Sequence, residues 1–206
     1  YHVHTTYSDG EGSIEECYKR AGKLGIKEMC FTDHFFIIDE KLKGPKIFDM
    51  PIIFKEVEKA QENTKVKIKL GLELEYFENY ERKIENFLKN YDFDFILGAV
   101  HFIDGIAVDN SKLFKKSQIE VYKKYFSLMT KAIESQIFDV MAHFDYIRRY
   151  AVPFYKIELP FEKYKKQAEK IVQLLVDYGI GIEVNTSGFR HFLNGPYPSL
   201  DFIRSV

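Results

Sequence analysis

His2 and His4 stand two residues apart, so in an extended segment the alternation of side chains sends both imidazoles to one face. Asp33 and His34 follow the apolar stretch Cys30-Phe31-Thr32, and Glu73 and Glu75 share a face within Gly71-Leu72-Glu73-Leu74-Glu75-Tyr76. His101 and His143 each close a short apolar run, and Glu183 with Asn185 closes another. Imidazoles and carboxylates without thiolates suit zinc, manganese or iron rather than a cysteine-built structural zinc site. A lone histidine at a strand end is ordinarily a hydrogen-bonded structural residue. Independent core histidines have no reason to gather five of the chain's six at the same end of successive strands, so the joint pattern points to a shared metal site. The candidate ligands outnumber what one ion takes, which implies two or more ions, and a carboxylate such as Glu73 can bridge them. Clustered divalent ions suit phosphate esters, because they generate hydroxide near neutral pH and neutralise the phosphoryl oxygens. Asp9, in Ser8-Asp9-Gly10, reads by itself as a turn residue, and His191 lies off the strand pattern in a loop. No Gly-x-Ser-x-Gly elbow and no phosphate-binding P-loop occurs in the sequence.

The elements that would position these residues alternate along the chain. Strands are expected near His2 to Thr5, Glu28 to Thr32, Lys67 to Tyr76, Phe93 to Val100, Phe138 to Ala142 and Gly179 to Asn185. Between them, Ser13-Ile14-Glu15-Glu16 forms a capping box that opens a helix through about Leu24. Ile119, Tyr122, Phe126, Met129 and Ile133 make one helical stripe, and Tyr164, Ala168, Ile171, Leu175 and Tyr178 another, stopped by Gly179. Further helices are expected around Ile53, Val57 and Ala60, around Ile84 to Tyr91, and from Ser199 to the end. Strands alternating with helices predict an α/β fold of parallel βα units, whose functional residues collect where the strands end.

At 206 residues, against ~150 per domain, the chain is expected to be a single domain. A hydrophobic content of 46% with 30% charged residues excludes gross disorder. Lys plus Arg total 30 against 31 Asp plus Glu, so the net charge of -1 offers no whole-chain attraction to nucleic acid or to an anionic membrane. The apolar runs fall far short of the ~20 residues of a spanning helix. Cys17 and Cys30 form no CxxC pair and read as small hydrophobes of a reducing compartment, hence a cytoplasmic protein.

Taken in order, His2-Val3-His4-Thr5-Thr6-Tyr7-Ser8-Asp9-Gly10, Thr32-Asp33-His34, Gly71-Leu72-Glu73, Ala99-Val100-His101-Phe102 and Ala142-His143-Phe144-Asp145 resemble the successive motifs of the polymerase and histidinol phosphatase (PHP) family. Asn185-Thr186-Ser187-Gly188 is similar to its histidinol-phosphatase branch, and the likeness runs through nearly the whole chain as one PHP domain over residues 1–206.

The resemblance implies a distorted (β/α)7 barrel, TIM-like, with two or three divalent ions (Zn, Mn or Fe) at its C-terminal rim. It implies a first ion on His2, His4 and Glu73, a second on Glu73, His101 and His143, and a third on Asp9 and His34. The reaction it implies is hydrolysis of L-histidinol phosphate to L-histidinol and phosphate, in histidine biosynthesis, by attack of a metal-bound hydroxide. The expected partner is thus a small-molecule phosphate ester, with neither membrane nor nucleic acid. Arg148, Arg149 and Arg190 lie just beyond the fifth and sixth strands and suit bidentate phosphate contact; the bland reading of each is a surface arginine paired with carboxylates. Another PHP phosphoesterase, either a nuclease or a phosphotyrosine phosphatase, and an inactive metal-binding PHP domain are the alternatives. The family's final Asp-x-His motif has no counterpart after Arg190, where only His191 and Asp201 occur. The expectation is a barrel truncated after its sixth strand, in a protein that continues beyond Val206.

Overall fold

In the computed structural model, which describes residues 1–37 and 49–204, strand β3 (Lys67–Glu75) sets the order of its surroundings. Its first residues alternate between exposed and buried, and from Leu70 onward every residue is buried. Such a run suits a parallel strand covered on both faces. β1 (Glu28–Phe31) lies parallel to it, with Glu28 opposite Lys67 and Phe31 opposite Leu70. β2 (His34–Phe35) continues on the same side, with His34 opposite Glu73 and Phe35 opposite Leu74. On the other side lies β4 (Phe95–Ala99). Gly71 makes that neighbour possible, because a Cβ there would collide with the Phe95 carbonyl.

The chain divides into two compact units, Tyr1–Glu75 with Arg82–Leu97 and Tyr76–Glu81 with Gly98–Val206. In the first, α1 (Ile14–Lys23) and α2 (Met50–Glu62) contribute Ile14, Tyr18, Ala21, Ile53 and Ala60 to the buried core. α3 (Glu81–Leu88) buries Ile84. The capping box of α1 forms as expected: the Glu16 N–H donates to Ser13 Oγ at 3.2 Å and the Ser13 N–H to Glu16 Oε2 at 2.8 Å.

The second unit holds a short hairpin, β5 (Phe102–Ile103) and β6 (Ile106–Ala107), turned by Asp104-Gly105 at φ 52° and 73°. This is the Asp-Gly turn whose twist matches paired strands. α4 (Gln118–Glu134) buries Tyr122, Tyr125, Phe126, Met129 and Ile133. β7 (Val140–Met141) runs parallel to β8 (Gly181–Ile182), and the Ala142 N–H donates to the Gly98 carbonyl at the end of β4. α5 (Arg148–Tyr155), α6 (Lys165–Tyr178) and α7 (Leu200–Ile203) complete it. Phe126 is the centre of its core, stacked on Tyr164 at 5.3 Å and 5.2 Å from Phe144. The protein is therefore mixed α/β with mainly parallel strands, and no described helix is long and apolar enough to cross a membrane.

Every expected strand is somewhat shorter than the sequence suggests, three of them reduced to a single bridge or a two-residue strand. The stretch His2 to Thr5 reduces to one bridge, Val3 to Phe31, because the Thr5 carbonyl at once accepts the Ser8 and Gly10 N–H groups of a turn. Phe138 to Ala142 reduces to β7, and Gly179 to Asn185 to β8, since Gly179 is spent at φ 67° capping α6. α5 forms despite Pro153 in its interior, at a place where no helix was expected. The helix expected from Ser199 reaches Ile203, and its last part, residues 205–206, lies outside the described residues.

Replacing Ser13 by Ala removes one side of the α1 capping box and should cost about 1 kcal/mol, read as a lower urea midpoint at an unchanged slope.

Candidate metal centre

Glu73 points from β3 into a ring of histidines within the first unit. Its Oε2 lies 2.8 Å from His34 Nδ1, 3.0 Å from His4 Nε2 and 3.3 Å from His2 Nε2. The parallel register sets His34 opposite Glu73, and the single bridge at Val3 lets His2 and His4 flank it on one face. His4 then joins two groups, because its Nδ1 lies 2.6 Å from Asp9 Oδ1 while Asp9 Oδ2 is 3.6 Å from His34 Nε2. Two overlapping triads result, His2/His4/Glu73 and His4/Asp9/His34, each offering donor atoms within 4.8 Å of one another. Asp9 is brought in by a tight turn, and a Cβ at Gly10 would collide with the His4 carbonyl.

The electrostatics suit a cation. Burial works against a charged His34, yet hydrogen bonds to Asp9 and Glu73 outweigh it and push the imidazole up to about 10. Asp9 is held well below the usual carboxylate range, first by its hydrogen bond to His34 and, against the opposing effect of burial, also by His4. His2 Nε2 and His4 Nε2 face each other at 3.1 Å, so at least one of them presents a lone pair rather than a proton. Once a cation takes the place of the His34 proton, a buried carboxylate with imidazole lone pairs around it is the donor chemistry of zinc, manganese or iron, and these residues fit such ions.

In the second unit the His101 and His143 rings are 5.0 Å apart, and the Tyr146 ring packs on both, at 5.6 and 4.5 Å. His143 has φ 22°, a backbone conformation that side chains disfavour, and its N–H donates to Glu183 Oε2 at 2.8 Å. Asn185 Nδ2 in turn donates to both Glu183 oxygens at 3.1 Å. Glu183 and Asn185 therefore hold the backbone of His143, a role that their place at the end of the sixth expected strand did not reveal. Tyr146 was equally invisible, being three residues past His143 in the irregular stretch leading to α5.

The arginines part company. Arg148 is buried: its Nε lies 2.7 Å from Glu158 Oε1, and its Nη1 reaches Asp145 Oδ2 at 3.2 Å and the Pro196 carbonyl at 3.4 Å. Burial pushes the Asp145 carboxyl up to about 6 against the pull of Arg148. Arg148 is thus engaged by two carboxylates and a carbonyl, where the expectation was contact with a phosphate. Arg149 donates to the Tyr146 hydroxyl at 2.9 Å and lies over the Tyr146 and Tyr150 rings. Arg190 is exposed at the end of the turn Thr186–Arg190, next to His191. Burial and the positive charges of Arg149 and Arg190 push His191 below its ordinary value, so three basic groups share one neighbourhood.

Comparison with known proteins gives a consistent picture. The profile of the family described as PHP domain matches residues 1–187. A protein of Clostridium acetobutylicum named "Probable histidinol-phosphatase" is 32% identical over 188 residues, spanning 90% of this chain and 71% of its own. One of Lactococcus lactis subsp. lactis named "Histidinol-phosphatase" is 27% identical over 196 residues, spanning 92% of this chain and 71% of its own. The crystal structure of histidinol phosphate phosphatase from that organism, complexed with zinc, L-histidinol and phosphate, has the same fold. Its TM-score is 0.86 at 24% identity, covering 100% of this chain and 79% of that one.

Glu73→Gln keeps the shape of the side chain but removes the charge on which three imidazoles converge. Elemental analysis of the zinc-loaded protein should show the loss of about one equivalent or more per chain, with the circular dichroism spectrum retained.

Proposed function

The chain belongs to the PHP domain family, and from that premise we propose that it hydrolyses L-histidinol phosphate to L-histidinol and phosphate as a metal-dependent phosphomonoesterase. The observation that carries this reading is the buried Glu73 carboxylate with His2, His4 and His34 around it. The names of the relatives supply the substrate, and the zinc, L-histidinol and phosphate of the Lactococcus lactis structure are in keeping with it.

His2, His4, Asp9, His34, Glu73, His101 and His143 are the ligands in this reading, for two or three divalent ions of which zinc is the first candidate. Such ions supply a nucleophile near neutral pH and neutralise phosphoryl charge. The residues of the chain do the rest. Glu73 balances positive charge in a buried place, and His4 fixes the spacing between Glu73 and Asp9 with its two ring nitrogens. Arg149 and Arg190 offer planar, permanently charged donors to the phosphate oxygens, and the Tyr146 and Tyr150 rings, packed edge to face, keep the Arg149 guanidinium oriented. Arg148, already paired with Asp145 and Glu158, is left out of this phosphate contact. The barrel form of the fold and a cytoplasmic location belong to the same proposal.

Phosphate release from L-histidinol phosphate, with phosphotyrosine and single-stranded DNA as control substrates, tests it directly. Activity should appear on the first substrate, vanish on chelation and return with zinc; hydrolysis of a control alone overturns the assignment. Arg190→Ala should lower kcat/KM roughly 30- to 150-fold, the loss of about 2–3 kcal/mol from one charge-assisted contact in the transition state. A change of less than about twofold would return Arg190 to the ordinary surface.

A further inference from the structure

Asp33 is buried one residue before His34, and its two carboxylate oxygens accept three hydrogen bonds from Thr5 and Ser8. Oδ1 accepts the Thr5 N–H at 2.7 Å and the Ser8 hydroxyl at 2.5 Å, and Oδ2 accepts the Thr5 hydroxyl at 2.8 Å. The Thr5 oxygen also accepts the Tyr7 N–H at 3.2 Å. From the main chain, the Asp33 carbonyl accepts the Glu73 N–H at 3.0 Å. Thr5 follows His4 in sequence, Ser8 precedes Asp9, and Asp33 itself precedes His34. One residue thus holds, through the immediate neighbours or the backbone, four groups of the two triads: His4, Asp9, His34 and Glu73.

We infer that Asp33 is the positioning residue of the metal centre in the first unit, tying the turn that carries His4 and Asp9 to the strands that carry His34 and Glu73. The inference rests on the proposed ligand reading. Three donors occupy the Asp33 carboxylate, so it acts through them and not as a ligand. Thr5 is fully buried, and its N–H and hydroxyl have no route to water if the carboxylate is lost. The turn would then relax to find other acceptors, and His4 and Asp9 would move with it. Residues in this position around metal sites typically change affinity by roughly 10- to 100-fold.

The test is the zinc dissociation constant, measured on the full chain by competition with a chelating dye, for the unchanged protein, Asp33→Asn, Ser8→Ala, their double variant and Glu73→Gln. Asp33→Asn should bind zinc about 10- to 100-fold more weakly while still unfolding cooperatively, and its phosphatase activity should recover at raised zinc. Ser8→Ala should weaken binding in the same direction by about threefold or more, and the double variant should be no weaker than Asp33→Asn alone, because Ser8 acts through Asp33. A merely structural carboxylate would lower the urea midpoint and leave the zinc constant of the folded protein unmoved. If Asp33→Asn binds zinc within about twofold of the unchanged protein, the inference is overturned. If Asp33→Asn does not fold, Ser8→Ala decides by the same measure, weaker binding in favour and unchanged binding against. Glu73→Gln separates the two levels: loss of zinc there, with Asp33→Asn and Ser8→Ala unchanged, leaves the ligand reading intact and removes only the role of Asp33. Unchanged zinc in all the variants removes both.

Discussion

A carboxylate enclosed in a protein interior must be compensated, or it will take up a proton or pull the fold apart. Glu73 is that carboxylate, and the first unit is arranged to compensate it. β3 supplies a strand buried on both faces, so Glu73 has no path to solvent. β2 places His34 at its side through strand register, and the bridge at Val3 places His2 and His4 there through alternation. Each device is ordinary by itself. Together they assemble positive or lone-pair-bearing nitrogens around a fixed negative charge, an arrangement a divalent ion completes.

The second unit solves a different problem, that of holding groups which regular structure does not hold. His143 occupies a disfavoured backbone conformation, and the side chain of Glu183 secures it from beyond the end of a neighbouring strand. Arg148 is confined by Asp145 and Glu158, and its neighbour Arg149 is directed by two tyrosine rings. Adjacent residues of the same type therefore have opposite fates, one consumed in the interior and one turned toward a basic neighbourhood. A phosphate ester needs the second kind.

Helices α1, α2, α4 and α6 and strands β1, β3 and β4 were legible because their signals are local: a capping box, an apolar stripe, a glycine stop, a buried run. The approach of His2, His4, His34 and Glu73 was legible too, since strand alternation and strand ends carry the geometry. Asp9 was not, for nothing in Ser8-Asp9-Gly10 distinguishes a turn from a turn aimed at two histidines. Its place came only with the family resemblance. The fate of Arg148 depended on Glu158 and Pro196, tens of residues along the chain at most, yet joined to it by packing alone. The Asp104-Gly105 hairpin did have a local signature, and α5 escaped because Pro153 reads as a breaker.

The register between β2 and β3 also sets a timetable. His34 and Glu73 are neighbours in space but roughly forty residues apart in the chain, a long loop to close before the pairing repays its entropy. During synthesis the ribosome releases His2, His4, Asp9 and His34 well before the strand that gathers them. Until β3 has emerged and paired, these nitrogens belong to a flexible segment whose grip on any ion is that of scattered imidazoles. Ion capture by this half of the protein is in consequence a late event of its biogenesis, and a nascent chain cannot be loaded piecemeal as its ligands appear.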